Sequence, residues 1–270
     1  MHHRRGLVRR SRNSGDFHDR PAGYDAGREK TRTVEAPRVT AAREQCVGDN
    51  WIILLFIAAG ILFTVMSWYA AEKRRKALAE FAHANGFEFK SAPGDIHEKY
   101  EAFSPFGSGR NRRSANLIHG QRGEIRWEMF DYRYTTGSGK NKTSHRVGVV
   151  VAKVPLMLPR LRIRPEHIFD KLAAAVGFDD IDFESAEFSR KYHVKGDDRK
   201  TAYDLIHPQM IEYLLSKPAH DWQIGGSVIL FQKSGHFSTA EMTDSMALIS
   251  GFVERIPEYV RQDMGMRPAV

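Results

Sequence analysis

Residues 137–143 contain the residue types of a phosphate-binding loop but not their spacing. Such a loop needs glycine at its first position and a hydroxyl side chain after the lysine, where the hydroxyl binds Mg²⁺. Here Tyr134 stands at the glycine position, and Asn141 follows Lys140. The segment also lies between two predicted strands and not before a helix, whose N-terminal amides would bind phosphate. We interpret it as a solvated hairpin tip, with lipid headgroup contact through Lys140 and Lys142 as the alternative.

The histidines and the cysteine lack the spacing of a metal site. Nine histidines lie beyond residue 70, and none lies four residues from another, although that spacing lets two histidines on one helix bind zinc. The one cysteine, Cys46, lies in the N-terminal tail, so the rest of the chain has neither a thiolate nor a disulfide. We therefore predict neither a metal nor a cofactor.

Other catalytic arrangements are equally weak in this sequence. The Gly-x-Ser-x-Gly elbow of many hydrolases does not occur. The acidic pairs Asp179-Asp180 and Asp197-Asp198 precede predicted helices or strands, where turns and helix caps favour aspartate. We predict no catalytic residue. An enzyme whose site combines dispersed Asp, His and Arg side chains stays open as the alternative.

An aromatic run with interspersed arginines superficially resembles a nucleic-acid platform. It comprises Trp127, Phe130, Tyr132 and Tyr134, with Arg126 and Arg133. We interpret the run as the packed face of a sheet with arginines at its rim. The net charge of +8 is shared about equally by the tail and the remaining chain, so no nucleic-acid partner is expected. A basic edge toward the membrane or an acidic partner is expected from Arg110, Arg112, Arg113, Arg122 and Arg126.

Four consecutive cations, Lys73, Arg74, Arg75 and Lys76, follow an apolar segment closely. They are our candidate contact with anionic lipid headgroups, where each charge near the bilayer surface contributes about 1 kcal/mol. The alternative is that they only fix the topology and stop transfer of the chain.

Residues 51–70 form the apolar segment and contain no charged residue. At about 1.5 Å per residue, a helix of this length spans about 30 Å, the thickness of the hydrocarbon core. Trp51 lies at one end, and Trp68 and Tyr69 lie at the other, as expected for aromatic residues at both membrane interfaces. A cleaved signal peptide would have its basic residues before the apolar run. We therefore predict a single transmembrane helix.

The positive charges beside this helix also predict its orientation. The dense basic run follows the apolar segment, which places the C-terminal domain in the cytoplasm and the helix in the inner membrane. Arginines far out in the tail, at positions 4–12, oppose this weakly. The tail, residues 1–50, has the biased composition of a disordered segment. We also consider that translation begins near Val47, in which case most of this tail is not made.

Beyond the apolar segment we predict a basic juxtamembrane helix at residues 71–85, a soluble domain at 86–260 and a flexible C-terminus at 261–270. Arg146 to Val154 predicts a central strand that is covered on both faces, because its apolar residues point both ways. Residues 104–113 predict a loop, and residues 188–194 predict a strand. Two turns are also predicted, one bracketed by Pro155 and Pro159 and one at the hairpin 222–232.

Three helices complete the predicted domain. One begins at Pro165, and one begins near residue 199, capped by Asp197 or Asp198 and split at Pro208. The third begins at the capping box that starts at Ser238. These elements predict an α+β fold, in which an N-terminal transmembrane helix precedes an antiparallel sheet domain with about three helices. The lack of strict alternation between strands and helices excludes a Rossmann or TIM barrel fold.

Short motifs across residues 50–260 resemble those of an uncharacterised family of bacterial membrane-anchored proteins with a cytoplasmic domain of unknown function. The motifs are the basic helix KRRKALAEFAHANGFEF, then residues 116–120, 130–134, 158–161, 165–166, 183–185, 188, 192–194 and 202–215. The resemblance implies a shared fold and membrane placement, and it assigns no catalytic residue.

These observations together predict a single-pass membrane protein. Its cytoplasmic domain acts as a non-catalytic binding or scaffold module whose partners are the lipid bilayer, anionic headgroups and an unidentified protein. The membrane-associated enzyme mentioned above is the alternative.

Overall fold

A computed structural model of the chain describes residues 50–165 and 179–265. The predicted tail, apart from Asn50, and the helix predicted after Pro165 lie outside the described residues, and so do the last five residues. The chain divides between Ala59 and Gly60 into two units. The described part of the first unit is the start of one long helix, and the second unit contains the sheet.

Helix α1, Asn50–Ala84, contains 35 residues. Within the described part of the chain, it is the one helix that is long and apolar enough to cross a membrane. A helix of 35 residues is about 50 Å long, so it extends well beyond a hydrocarbon core of about 30 Å. The predicted juxtamembrane helix is therefore the continuation of the apolar one. It ends at Gly86, which has a φ of 71°, while the Phe87 amide donates to the Ala82 carbonyl at 2.8 Å.

The domain is built on a seven-stranded antiparallel sheet, which confirms the α+β prediction. The strand order is β1-β2-β3-β4-β6-β5, and β7 pairs with the other side of β4. The valine-rich centre of β4 is buried on both faces, as predicted. The strands are β1 Glu88–Lys90, β2 Arg110–Arg122, β3 Ile125–Thr136, β4 Thr143–Pro165, β5 Asp179–Asp180, β6 Tyr192–Gly196 and β7 Trp222–Ser234.

The two predicted turns at Pro155–Pro159 and in 222–232 are wrong, because β4 and β7 are each continuous and pair along both halves. Register shifts interrupt the pairing between Lys153 and Leu161. Proline has no amide to donate, and such a shift is where a strand tolerates it. Gly226, with a φ of 58°, lies opposite Leu158 at this bend. Gly226 therefore lies at a bend within β7 and does not reverse the direction of the chain.

Two further predicted elements are partly wrong. β2 begins at Arg110, inside the segment predicted as a loop, and residues 188–194 are a short helix followed by β6. The predicted cap and break near residue 199 are present, and Asp198 is the residue that caps. The short helices are α2 Ala186–Lys191, α3 Arg199–Leu205, α4 Pro208–Leu215, α5 Thr239–Glu254 and α6 Glu258–Met264, so the boundary predicted at residue 260 cuts through α6.

The two faces of the sheet have different covers. On one face, the end of α1 and the short helices pack over a large core that includes Trp127, Trp222 and Phe252. On the other face, the 3₁₀ helix Ile96–Tyr100 and the loop after it cover a smaller aromatic core that includes Phe130. Beside this loop, at the far half of β4, charged side chains line a cleft.

Candidate functional site

Arg74, one of the four predicted lipid-binding cations, is bonded to the domain. Its Nε donates to Asp131 Oδ2 at 3.1 Å, and its Nη2 donates to Asp131 Oδ1 at 2.8 Å. Its Nη1 donates to the Phe237 carbonyl at 3.1 Å. A paired guanidinium and carboxylate of this geometry forms strong, directional hydrogen bonds. Arg74 therefore attaches α1 to both β3 and the segment before α5.

Asp131 is buried and collects further polar neighbours. Asn116 Nδ2 donates to Oδ2 at 2.8 Å, and His236 Nδ1 lies 2.9 Å from Oδ1. Gly148 pairs with Asp131 across the sheet, and a Cβ there would lie 2.8 Å from the Phe237 amide nitrogen. Glycine at position 148 thus allows the Phe237 backbone to approach Arg74. We call Arg74, Asp131, Asn116 and His236 the helix junction.

Hydrophobic packing continues the attachment along α1. Leu78 and Ala82 are each 1% exposed and belong to the large core. Both lie on the face of α1 that also carries Arg74, because positions four residues apart share one side of a helix. The C-terminal end of α1 is therefore part of the domain core.

The other three predicted lipid-binding cations have a different environment. Lys73, Arg75 and Lys76 are exposed, and Arg75 pairs with Glu72 one turn away, at 3.5 Å. Headgroup contact stays a prediction for these three residues. For Arg74, the geometry assigns a structural role, because all three nitrogens of its guanidinium already donate within the domain.

The predicted basic edge is not one surface. Arg110, Arg112 and Arg113 begin β2, whereas Arg122 ends it, about 40 Å away at about 3.3 Å per residue. Arg112 donates to Glu101 and to the Phe106 carbonyl. Arg122 donates to the side chain of Asn85. These arginines therefore belong to two ends of the sheet.

The segment with phosphate-loop residue types forms the tip between β3 and β4. Gly139–Asn141 is a single 3₁₀ turn, and both Lys140 and Lys142 are exposed. No helix of more than this one turn begins there, so the amide array of a phosphate loop is missing. The interpretation as a hairpin tip is confirmed, and headgroup contact by the two lysines stays a prediction.

A buried polar cluster attaches the 3₁₀ helix to the sheet. Tyr100 donates to Glu128 Oε2 at 2.6 Å, and Lys153 donates to Glu128 Oε1 at 2.8 Å. Burial opposes ionisation of Glu128, but the hydrogen bonds from Lys153 and Tyr100 outweigh it and lower the pKa of this carboxyl. Burial, followed by the hydrogen bond to Glu128, raises the pKa of Tyr100. The tyrosine is 1% exposed, so its hydroxyl holds the fold and is out of reach of a substrate.

Sequence reasoning missed a second basic surface, on β4. Arg160, Arg162 and Arg164 alternate with buried Leu161 and Ile163. Alternate residues of a strand share one face of the sheet, so the three arginines line up on one side. Lys195 of β6 lies directly opposite Arg162 and adds a fourth cation. We call these four residues the arginine face.

Two cations of the arginine face pair with carboxylates. Arg162 forms two hydrogen bonds to Asp221, at 3.1 and 2.8 Å. Lys195 pairs with Asp180 at 3.0 Å, and this hydrogen bond is the main reason that the pKa of Asp180 is lowered. Nη1 of Arg164 is buried, and it has no hydrogen-bond partner among residues 50–165 and 179–265.

A cleft of about 430 Å³ lies against the arginine face. Phe103 forms its apolar wall, and residues Gly225 and Gly226 also line it. The loop wall is fixed because Gln223 and the backbone of Ser104 exchange two hydrogen bonds, at 3.0 and 2.9 Å. The cleft thus combines cationic and apolar surface. The alternation Arg-Leu-Arg-Ile-Arg was the sequence signal for one strand of it.

A metal centre finds no support in the described part of the chain, where no three His, Cys, Asp or Glu side chains come together.

No protein-family model and no curated protein matches the sequence, which is consistent with its resemblance to an uncharacterised family. Among solved structures, the fold is similar to the crystal structure of the mycobacterial trehalose monomycolate transport factor A, TtfA, with a TM-score of 0.54 and 10% sequence identity. The similarity covers 72% of this chain and 98% of that chain. At this identity the comparison shows a shared fold.

Proposed function

We propose that this protein is a single-pass, membrane-anchored binding or scaffold module without catalytic activity, facing the cytoplasm from the inner membrane. The observation that carries the proposal is the helix junction, which joins the end of the apolar helix to the domain core through Arg74 and Asp131. A domain attached in this way stays close to the membrane that the apolar helix is proposed to cross. That arrangement suits a protein that presents a binding surface to a membrane partner.

The charges around α1 support the orientation. Lys73, Arg75 and Lys76 are exposed directly beyond the apolar segment, where positive residues favour the cytoplasmic side. Contact of these three cations with anionic headgroups adds about 1 kcal/mol for each. The fold is shared with a protein whose structure is named a transport factor, and a binding role of this kind is what we propose here.

Protease accessibility in spheroplasts tests the anchoring and its orientation. We expect a C-terminal epitope after residue 265 to survive protease outside intact spheroplasts and to be lost once detergent opens the membrane. Carbonate extraction should leave the chain in the membrane pellet. Cleavage of the domain in intact spheroplasts would overturn the orientation, and release into the carbonate supernatant would overturn the anchor.

Native mass spectrometry in neutral detergent tests the lipid contact. After exposure to equal amounts of phosphatidylglycerol and phosphatidylcholine, the wild type should retain phosphatidylglycerol preferentially. Replacing Lys73, Arg75 and Lys76 by Gln should abolish this preference. The matched control replaces Arg126, Arg190 and Lys200, three exposed cations elsewhere in the domain, and equal loss of preference in this control would contradict a specific contact.

A further inference from the structure

The arginine face arranges like charges where a sheet ordinarily avoids them. Arg162 lies directly opposite Lys195 on one neighbouring strand and directly opposite Gln223 on the other. Like charges at directly opposite positions of an antiparallel pair are destabilising. Asp221 and Asp180 offset two of the cations. In the described residues, however, no carboxylate lines the cleft itself, whereas all four cations of the face do.

Arg164 gives the second argument. A buried guanidinium nitrogen without a hydrogen bond costs free energy, because its hydration is lost and nothing replaces it. Nη1 of Arg164 is in this position within the described chain, and Arg164 lines the same cleft. An anion in the cleft would compensate the charge of Arg164, and the planar fork of arginine suits phosphate and carboxylate groups.

The walls of the cleft restrict the rest of the ligand. Phe103 presents apolar surface beside the cations. The side chain of Gln223 is already hydrogen-bonded to the Ser104 backbone. It therefore forms part of the wall, and the cationic side chains are left to bind the ligand. A volume of about 430 Å³ lies within the range of small-molecule sites. It accommodates an anionic group together with a modest apolar body.

The cleft lies far from the end of α1 that leaves the apolar segment. Gly148 marks the level of the helix junction, because it pairs with Asp131. Arg162 lies fourteen residues further along β4, up to about 45 Å away in an extended strand. This separation favours a ligand that comes from solution over one held in the bilayer.

We propose that this cleft binds a small soluble organic anion, with a phosphate or carboxylate held by Arg162 and Arg164 and an apolar part against Phe103. This inference deepens the proposed function, since it names the ligand class of the binding module. The ligand proposal and the membrane anchoring can be contradicted independently, because ligand binding and membrane extraction are separate measurements.

Isothermal titration calorimetry of the full chain in phosphatidylcholine nanodiscs tests the proposal. The probes are phenyl phosphate and benzoate, with inorganic phosphate and neutral benzyl alcohol for comparison. We expect phenyl phosphate or benzoate to bind more tightly than inorganic phosphate, and benzyl alcohol not to bind. Absence of binding by both aromatic anions, or equal binding of benzyl alcohol, would overturn the proposal.

Two variants localise the binding. Arg164→Gln removes one cation of the cleft and should weaken binding by about tenfold or more, the loss expected for one charge-assisted contact. Gly225→Val keeps every charge and directs a side chain toward Phe103, whose ring carbon Cζ is 3.7 Å from a Cβ at this position. It should abolish binding by filling the cleft.

The matched control is Arg126→Gln, which removes the same charge from an exposed position on β3. It should leave binding unchanged, and a loss equal to that of Arg164→Gln would show a general charge effect and overturn the site. Melting temperatures of all variants without ligand separate lost binding from lost folding. A final arm adds phosphatidic acid to the nanodiscs. If phosphatidic acid competes with phenyl phosphate, the ligand is a lipid phosphate, and the proposal of a soluble ligand is overturned.

Discussion

At the scale of single residues, Asp131 is the acceptor on which the helix junction depends. Asp131→Asn removes the negative charge that faces Arg74, Asn116 and His236. We expect the free energy of unfolding to fall by about 3 kcal/mol, because removing one partner of a largely buried ion pair leaves the other charge uncompensated. Urea unfolding in neutral detergent, followed by the fluorescence of the buried tryptophans, measures the change.

The control for this prediction is Arg75→Gln, in the same turn of α1. Arg75 is exposed and forms a surface ion pair with Glu72, so its removal should change the free energy of unfolding by less than about 1 kcal/mol. Equal destabilisation by the two variants would show that charge near the apolar helix matters and the junction does not.

Glu128 is expected to make stability depend on acid pH. Its folded pKa lies below the ordinary value of 4.5, so its contribution is present above that value and is lost as pH falls through the folded pKa. We expect the melting temperature of the wild type to fall from about pH 5 to about pH 3 more steeply than that of Glu128→Gln. The control is Glu98→Gln, an exposed residue of the neighbouring 3₁₀ helix, whose profile should follow the wild type.

At the scale of secondary structure elements, the start of α3 distinguishes two adjacent aspartates. The side chain of Asp198 accepts from the amides of Lys200 and Thr201, whereas Asp197 makes no such cap. Asp198→Ala should lower the melting temperature by a few degrees, since it leaves two helix amides without an acceptor, and Asp197→Ala should not. A circular dichroism melt of both variants checks this, and the reverse order would contradict the assignment of the cap.

The elements that the sequence predicted well are those with a local cause. The cap at Ser238, the helix break at Pro208 and the stop at Gly86 each follow from a few neighbouring residues. The continuity of β4 and β7 has no local cause. Pro159 and Gly226 are turn formers in isolation, and only the pairing of two long strands turns them into a bend.

The same distinction applies to the candidate sites. The basic run after the apolar segment is visible in the sequence, but the acceptor that withdraws Arg74 from it lies 57 residues away. The alternation of Arg160, Arg162 and Arg164 is also visible. Whether this alternation forms a binding cleft depends on Lys195 opposite Arg162 and on the loop at Phe103. Neither neighbour can be predicted from a sequence pattern.

At the scale of the whole molecule, α1 continues from the apolar segment to Ala84 without interruption. We expect this continuity to limit the movement of the domain relative to the membrane. Inserting Gly-Ser-Gly after Tyr69 should leave the helix junction intact, and hence the unfolding free energy of the domain unchanged, while it releases the domain from a fixed height. Energy transfer from a dye at Glu212→Cys, in a Cys46→Ser background, to acceptor lipids in nanodiscs should then report a broader distance distribution.

The matched control for this insertion is the same three residues placed after Gly139, in the exposed hairpin tip, which leaves α1 uninterrupted. This control should keep the narrow distribution of the parent protein. A parent distribution as broad as that of the variant with the interrupted helix would contradict rigid attachment.

The hydrogen bond between Arg74 and Phe237 joins residues 163 positions apart, which has a consequence for biosynthesis. The ribosome makes Phe237 163 residues after Arg74, so the growing chain displays the guanidinium beside its apolar helix before all of its acceptors exist. We expect Arg74 to count first as one of the charges read during membrane insertion. A chain stopped before Phe237 would lack the acceptor of Nη1.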